Sequence, residues 1–177
     1  GTGTFTIAAP NSNTDRTLTL PDEAGTIITS ASVPTANTPN WLATITSNQT
    51  VSANTAVIIA YNSATFDTDS GLNTSTGRYT VQTGKAGKYY IAGGFRINTG
   101  ETLTRCVAII YKNGSQTVTE FNNPQGSGGE ASAFVSTIVD LSEGDIVDIR
   151  VFHNASGSKE LFSSGGKTLF MGFRLSE

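Results

Sequence analysis

From Trp41 onward the chain breaks into short apolar runs separated by clusters of Gly, Asn, Ser and Asp. The runs are rich in β-branched and aromatic residues, the composition of half-buried strands rather than helices. They predict strands over Trp41–Thr46, Ala56–Phe66, Gly77–Gln82, Gly87–Ile97, Thr102–Lys112, Gln116–Phe121, Ala131–Leu141, Asp145–His153 and Lys167–Leu175. No window carries apolar residues at helical spacing, so almost no helix is expected. Turn signals at short intervals are the pattern of a sandwich or jelly roll. In "YKNGSQ", Asn113 and Gly114 suit a two-residue type I′ hairpin, whose central positions both need positive φ.

Residues 1–33 have a different texture. "TFTIAA" alternates Phe5 and Ile7 with threonine; "RTLTL" and "TIITS" repeat the β pattern through Leu18, Leu20, Ile27 and Ile28; "PNSNTD" and "PDEAG" turn between them. Each piece presents one narrow apolar stripe, and isolated strands of this length do not offset their ordering entropy. A segment below about 40 residues usually folds only with disulfides, metal or other chains. With one cysteine in the chain, other chains remain as the explanation. The expected organisation is an intertwined β shaft over 1–33, a polar hinge over 34–40 ("PTANTPN") and a head over 41–177.

Composition narrows the function classes. With 37% hydrophobic and 14% charged residues, the chain is too apolar and too weakly charged for disorder. A net charge of −3 without a Lys/Arg cluster argues against nucleic acid or an anionic membrane as partner. No run of 18 apolar residues predicts membrane insertion, and no signal peptide is read. The start at Gly1 without methionine leads us to expect a processed product or an excised piece of something longer.

Catalytic chemistry finds little support. The single histidine, His153, and the single cysteine, Cys106, both fall in predicted strands. They read as a structural histidine and a small core hydrophobe rather than base and nucleophile. Zinc lacks ligands. Asp145 and Asp148 would point to opposite faces of one strand and make no acid pair. No enzyme and no cofactor are expected. The one metal candidate is calcium on "FDTDSGLN", where Asp67, Asp69 and Asn73 partly imitate a calcium loop but the bidentate glutamate is missing.

Four stretches in order carry a family resemblance: "GLNTSTGRYTVQTGKAGKYYIAGGF", "AIIYKNGS", "VDLSEGDIVDIRV" and "LFMGFRL". With Asn73, Thr76, Gly77, Tyr79 and Thr80, then Gly87 and Tyr89, then Tyr111 to Gly114, then Phe170, Gly172 and Phe173, the region 41–177 resembles the globular heads of the complement C1q and tumour-necrosis-factor superfamily. The resemblance implies an all-β, ten-stranded antiparallel jelly roll that assembles as a homotrimer. No collagen-like Gly-X-Y repeat precedes the head. Instead "APNSNTDRTLTLPDEAGTIITSAS" is similar to segments of bacteriophage tail-fibre proteins, which implies a virion fibre joined to other virion proteins on its N-terminal side. In a trimer, Phe5, Ile7, Leu18, Leu20, Ile27 and Ile28 of three chains would pack about a threefold axis, each buried side chain contributing roughly 1.5–3 kcal/mol.

Taking the last strand to end at the base of the head, strict antiparallel order sends 98–101, 122–130 and 154–166 to the apex. It sends 83–86, 113–115 and 142–144 to the base. Long loops on a rigid scaffold favour function, so ligand contacts are expected from Asn122, Asn123, Gln125, Asn154, Lys159, Glu160 and Phe162, with a host-surface glycan or protein receptor as partner. Alternatives are a structural head that registers or caps the trimer, a capsid decoration fibre, or a secreted or spore-surface complement-like protein.

Overall fold

Alternating side chains give the chain one face to bury per strand, and two such faces close on each other. The computed structural model describes residues 39–101, 103–122, 129–166 and 168–176, plus positions 3, 11, 14, 15 and 17. The chain divides into two units, Gly1–Pro34 and Thr35–Glu177. The shaft residues Phe5, Ile7, Leu18, Leu20, Ile27 and Ile28, the hinge up to residue 38, and Asn123 and Gln125 lie outside the described residues.

Among the described residues the second unit holds thirteen strands. They are β1 (Asn40–Thr44), β2 (Gln49–Val51), β3 (Val57–Ile58), β4 (Ser63–Asp67), β5 (Leu72–Asn73), β6 (Arg78–Thr80) and β7 (Gly87–Asn98), then β8 (Cys106–Lys112), β9 (Ser115–Asn122), β10 (Glu130–Leu141), β11 (Ile146–His153), β12 (Lys159–Leu161) and β13 (Leu169–Ser176). A seven-stranded sheet runs β2-β12-β7-β13-β1-β4, with β10 also on β7. A six-stranded sheet runs β5-β6-β11-β8-β9, with β3 also on β11. Every pairing is antiparallel. The only helical element among the described residues is a 3-10 turn at Ser164–Gly166.

The count of thirteen, against the ten expected, arises because strands are interrupted. β12 and β13 both lie antiparallel along β7, opposite Ile97 and Gly94 respectively, with residues 162–168 between them. The expected single strand Ala56–Phe66 is β3 in one sheet and β4 in the other. Between them Tyr61 is wholly buried and its hydroxyl donates to the Gly94 carbonyl (3.4 Å), so the chain crosses the sandwich there. Asp145 sits in the turn before β11, not on the strand.

The core joins both sheets. Trp41 of β1 stacks on Tyr79 of β6, with Phe170 of β13 edge-on to Trp41 at 5.4 Å. Ile91, Phe95 and Ile97 from β7 meet Ile110 of β8 and Ile149 of β11 in the same buried cluster. At Gly93 a Cβ would come within 2.7 Å of Ile149, so glycine lets the two sheets approach at that point. The hairpin at Asn113-Gly114 forms as the sequence predicts: Lys112 pairs Ser115 and both turn residues have positive φ. Cys106 is buried, and burial pushes its thiol up to about 12, consistent with an inert core side chain.

Candidate functional site: two loop ends and two outer faces

Among the described residues, antiparallel pairing sorts the connections to opposite ends, in the partition the sequence implies; of the loop 122–130, residues 123–128 lie outside them. At the base, the turns after β6, β8 and β10 interlock. Asn113 donates from Nδ2 to Asp145 (2.7 Å) and accepts from the Ile146 amide (2.8 Å), while Lys112 pairs with Asp145 at 2.8 Å. Burial pushes the Asp145 carboxyl up, but the hydrogen bonds from Lys112, Asn113 and the Ser142 amide outweigh it and hold it below its ordinary value.

At the apex, Glu101 is the hub. Its carboxylate accepts the amide and hydroxyl of Ser156 (3.1 and 2.8 Å) and pairs with Lys159 at 2.7 Å. The hydrogen bonds from Lys159 and Ser156 hold its carboxyl down to about 2. Nothing in the sequence around Glu101 marks it out, because its role comes from partners far along the chain.

The expected ligand residues separate into two groups. Asn154 donates to the Thr104 hydroxyl (2.6 Å) and accepts from the Arg105 amide (2.9 Å), so it fastens the start of β8 to the end of β11. Phe162 lies against the Arg96 guanidinium, 5.0 Å from ring centroid to Cζ, and Arg96 in turn pairs with Glu130. Both therefore have structural contacts where ligand contacts were expected. Lys159 and exposed Glu160, with Asn98, Thr99, Gly100 and Ser158, line an open depression of about 300 Å³. Asn122 ends β9 opposite Val107.

The calcium candidates serve the turn itself. Asp67 accepts the Gly71 and Leu72 amides (3.3 and 2.8 Å), Asp69 pairs with Lys85 (3.3 Å), and Asn73 caps the Ser75 amide (3.0 Å). Among the described residues no group of three or more His, Cys, Asp or Glu side chains could hold a metal. His153 is wholly buried, its Nε2 facing the Val51 carbonyl at 3.3 Å and its Nδ1 accepting from the Ala155 amide at 3.3 Å. Those contacts define one neutral tautomer, and burial lowers its pKa.

The outer faces of the two sheets differ in chemistry. On the seven-stranded sheet, register aligns Phe66, Leu42, Met171 and Ala92 in one row and Phe173, Tyr90 and Ile138 in the next. A third row aligns Leu169, Gly94 and Phe134. Phe66, Phe134, Ile138 and Leu175 are all exposed, Ile138 to 59%. Leu42, Phe66, Met171 and Phe173 also line a depression of about 280 Å³. On the six-stranded sheet, Asp148 is 1% exposed between Arg150 (2.7 Å) and Arg78 (3.4 Å), and Arg150 lies 3.7 Å over the Tyr111 ring.

Two facing antiparallel sheets, with loops segregated to the ends and one apolar outer face, define a jelly roll. The C1q domain family model matches residues 41–175, and the chain belongs to that family. The fold is similar to the globular domain of zebrafish complement 1qA protein (16% identity, TM-score 0.57, covering 78% of this chain and 98% of that one). It is also similar to murine APRIL at pH 5.0 (14%, 0.59, 77% and 98%) and to Eiger TNF from S. frugiperda (12%, 0.56, 78% and 92%). At such identities the likeness shows the fold alone. No curated protein sequence matches.

Proposed function

We propose that this chain is a non-enzymatic attachment protein whose jelly-roll head works as a homotrimer and binds a host-surface glycan or protein receptor. C1q/TNF-like domains typically form trimers, bind ligands and lack enzymatic activity. The observation that carries the reading is the outer face of the seven-stranded sheet. A contiguous apolar sheet face with exposed Phe66, Phe134 and Ile138 is a surface that another protein covers, and domains of this family typically form homotrimers. Three equivalent heads would then raise a weak single-site affinity through effective concentration. The virion setting, with residues 1–33 as a shaft toward other virion proteins, rests on the likeness of Ala9–Ser32 to bacteriophage fibre segments.

The test is molar mass by light scattering, on the whole chain and on residues 39–177, followed by saturable binding to susceptible cells. Trimer mass with saturable binding supports the proposal. A monomeric whole chain removes it. A second reading, a cap without receptor, is favoured by Asn154 and Lys159 acting as loop braces. Particles that adsorb normally after deletion of 154–160 would support it.

A further inference from the structure

We propose that the outer face of the six-stranded sheet binds a carboxylated sugar, with Arg78 and Arg150 gripping the carboxylate and the adjoining polar depression taking the ring hydroxyls. This deepens the attachment reading and rests on it. It moves the ligand from the apex loops to the flank of the head.

Three observations converge. First, one buried carboxylate serves two guanidiniums: Asp148, 1% exposed, meets Nε of Arg150 at 2.7 Å and Nε of Arg78 at 3.4 Å. Two positive charges against one negative leave a local surplus of one in a chain whose net charge is −3. A partly desolvated surplus charge favours an incoming counter-ion. Second, both contacts to Asp148 run through Nε, so the terminal nitrogens, the pair that matches a carboxylate in a planar fork, are not the atoms that hold these side chains. Arg150 is further set by the Tyr111 ring beneath it at 3.7 Å, and the Arg78 side chain is 39% exposed. Arg150, its side chain 17% exposed, is thus prepositioned, and Arg78 is the reachable arm.

Third, a sugar-sized space adjoins the clamp. Asn73 is the cross-strand partner of Arg78, and Thr80 lies two residues along the same strand. Both line an open depression of about 550 Å³ together with Ser70, Thr74 and Gln82. That volume lies within the range of small-molecule sites. Hydroxyls and amides supply donors and acceptors for neutral ring hydroxyls, and Arg78 stands at the clamp end, while the carboxylates of the neighbouring turn are engaged, Asp67 by the Gly71 and Leu72 amides and Asp69 by Lys85. The combination selects an acidic saccharide over a neutral one and over a hydrophobic ligand.

The experiment measures binding of the whole chain to polygalacturonate and to the same polymer fully methyl-esterified, by affinity electrophoresis. Polygalacturonate binding that weakens about tenfold or more in Arg78→Gln, the loss of one charge-assisted pair, with no retention on the ester, supports the inference. Arg78→Gln removes a half-exposed side chain, and unchanged molar mass verifies its fold. Equal retention on both polymers, or an unchanged affinity in Arg78→Gln, overturns the inference. Saturable cell binding without polygalacturonate binding also overturns it, and leaves the attachment proposal standing. Absence of both removes the two together.

Discussion

Trp41 and Tyr79 stack face to face across the sandwich, their ring centroids 3.6 Å apart and their planes 8° from parallel. One ring comes from each sheet, so the pair fastens the two layers at the centre of the core. Glycine makes the room: a Cβ on Gly172 would meet the Trp41 ring at 2.4 Å, and one on Gly71 would meet the Tyr79 ring at 2.4 Å. We expect Gly172→Ala to lower stability by about 1–3 kcal/mol through overpacking, and Trp41→Ala by about 3–5 kcal/mol through cavity formation. Denaturant midpoints at fixed protein concentration check both; an unchanged midpoint for Gly172→Ala would mean the ring shifts freely.

The apolar outer face predicts a sharp response to charge. Ile138→Asp places a carboxylate in the row of Tyr90 and Phe173, where assembly would desolvate it without a partner. The expected outcome is loss of trimer mass in sedimentation, with the far-ultraviolet spectrum of the single head retained. Persistence of trimer in this variant would place the subunit interface elsewhere.

His153 predicts an acid-side loss of stability. Its folded pKa lies below the ordinary value because burial disfavours the imidazolium. As pH falls below about 6.5, the unfolded chain takes up a proton that the folded chain refuses. The contribution is therefore complete above about 6.5 and declines as pH falls toward the lower folded value. Thermal unfolding of His153→Gln should show a flatter pH dependence between pH 7 and 5 than the parent, and a slope identical to the parent's would contradict this.

Glu101 behaves in the same sense, in a more acidic window. Its carboxyl is depressed to about 2, so its bracing of Ser156 and Lys159 is complete above the ordinary carboxylate range and fades as pH falls toward 2. Hydrogen exchange is the readout: in Glu101→Gln the Ser156 amide should exchange faster at neutral pH, with the β7 amides unaffected.

The turn containing Asp67 gives a metal-independent prediction. Because Asp67 accepts two backbone amides, Asp67→Ala leaves them without that acceptor and should cost about 1–3 kcal/mol. Titrating calcium or adding chelator should leave the melting temperature of the parent chain where it is; a rise with calcium would support the metal reading of Asp67, Asp69 and Asn73.

The long strands were legible because alternation and turn chemistry agree along them: β7, β10, β11 and the Asn113-Gly114 hairpin lie close to where the sequence puts them. The two- and three-residue strands β2, β5 and β12 were not, since a neighbour's edge defines them rather than any run of their own residues. Ala56–Phe66 read as one strand because residues at a crossing between sheets are as apolar as residues within a sheet. At the apex, strand alternation gave the end of the sandwich at which these loops lie but not the role of each residue. Whether Asn154 faces solvent or holds Thr104 and Arg105 depends on a pairing made 49 residues away. The Arg78–Asp148–Arg150 group escaped for the same reason: Arg78 is brought to β11 only when β6 pairs there.

The first and last strands of the second unit lie side by side, Asn40 opposite Phe173, and the Arg174 amide donates to the Pro39 carbonyl. Entry and exit thus share one end of the sandwich, which makes this unit a cassette. It can be spliced into a host chain, or circularly permuted through a short bridge from 176 to 40, while the apex loops at the far end keep their geometry and can be diversified without disturbing the join.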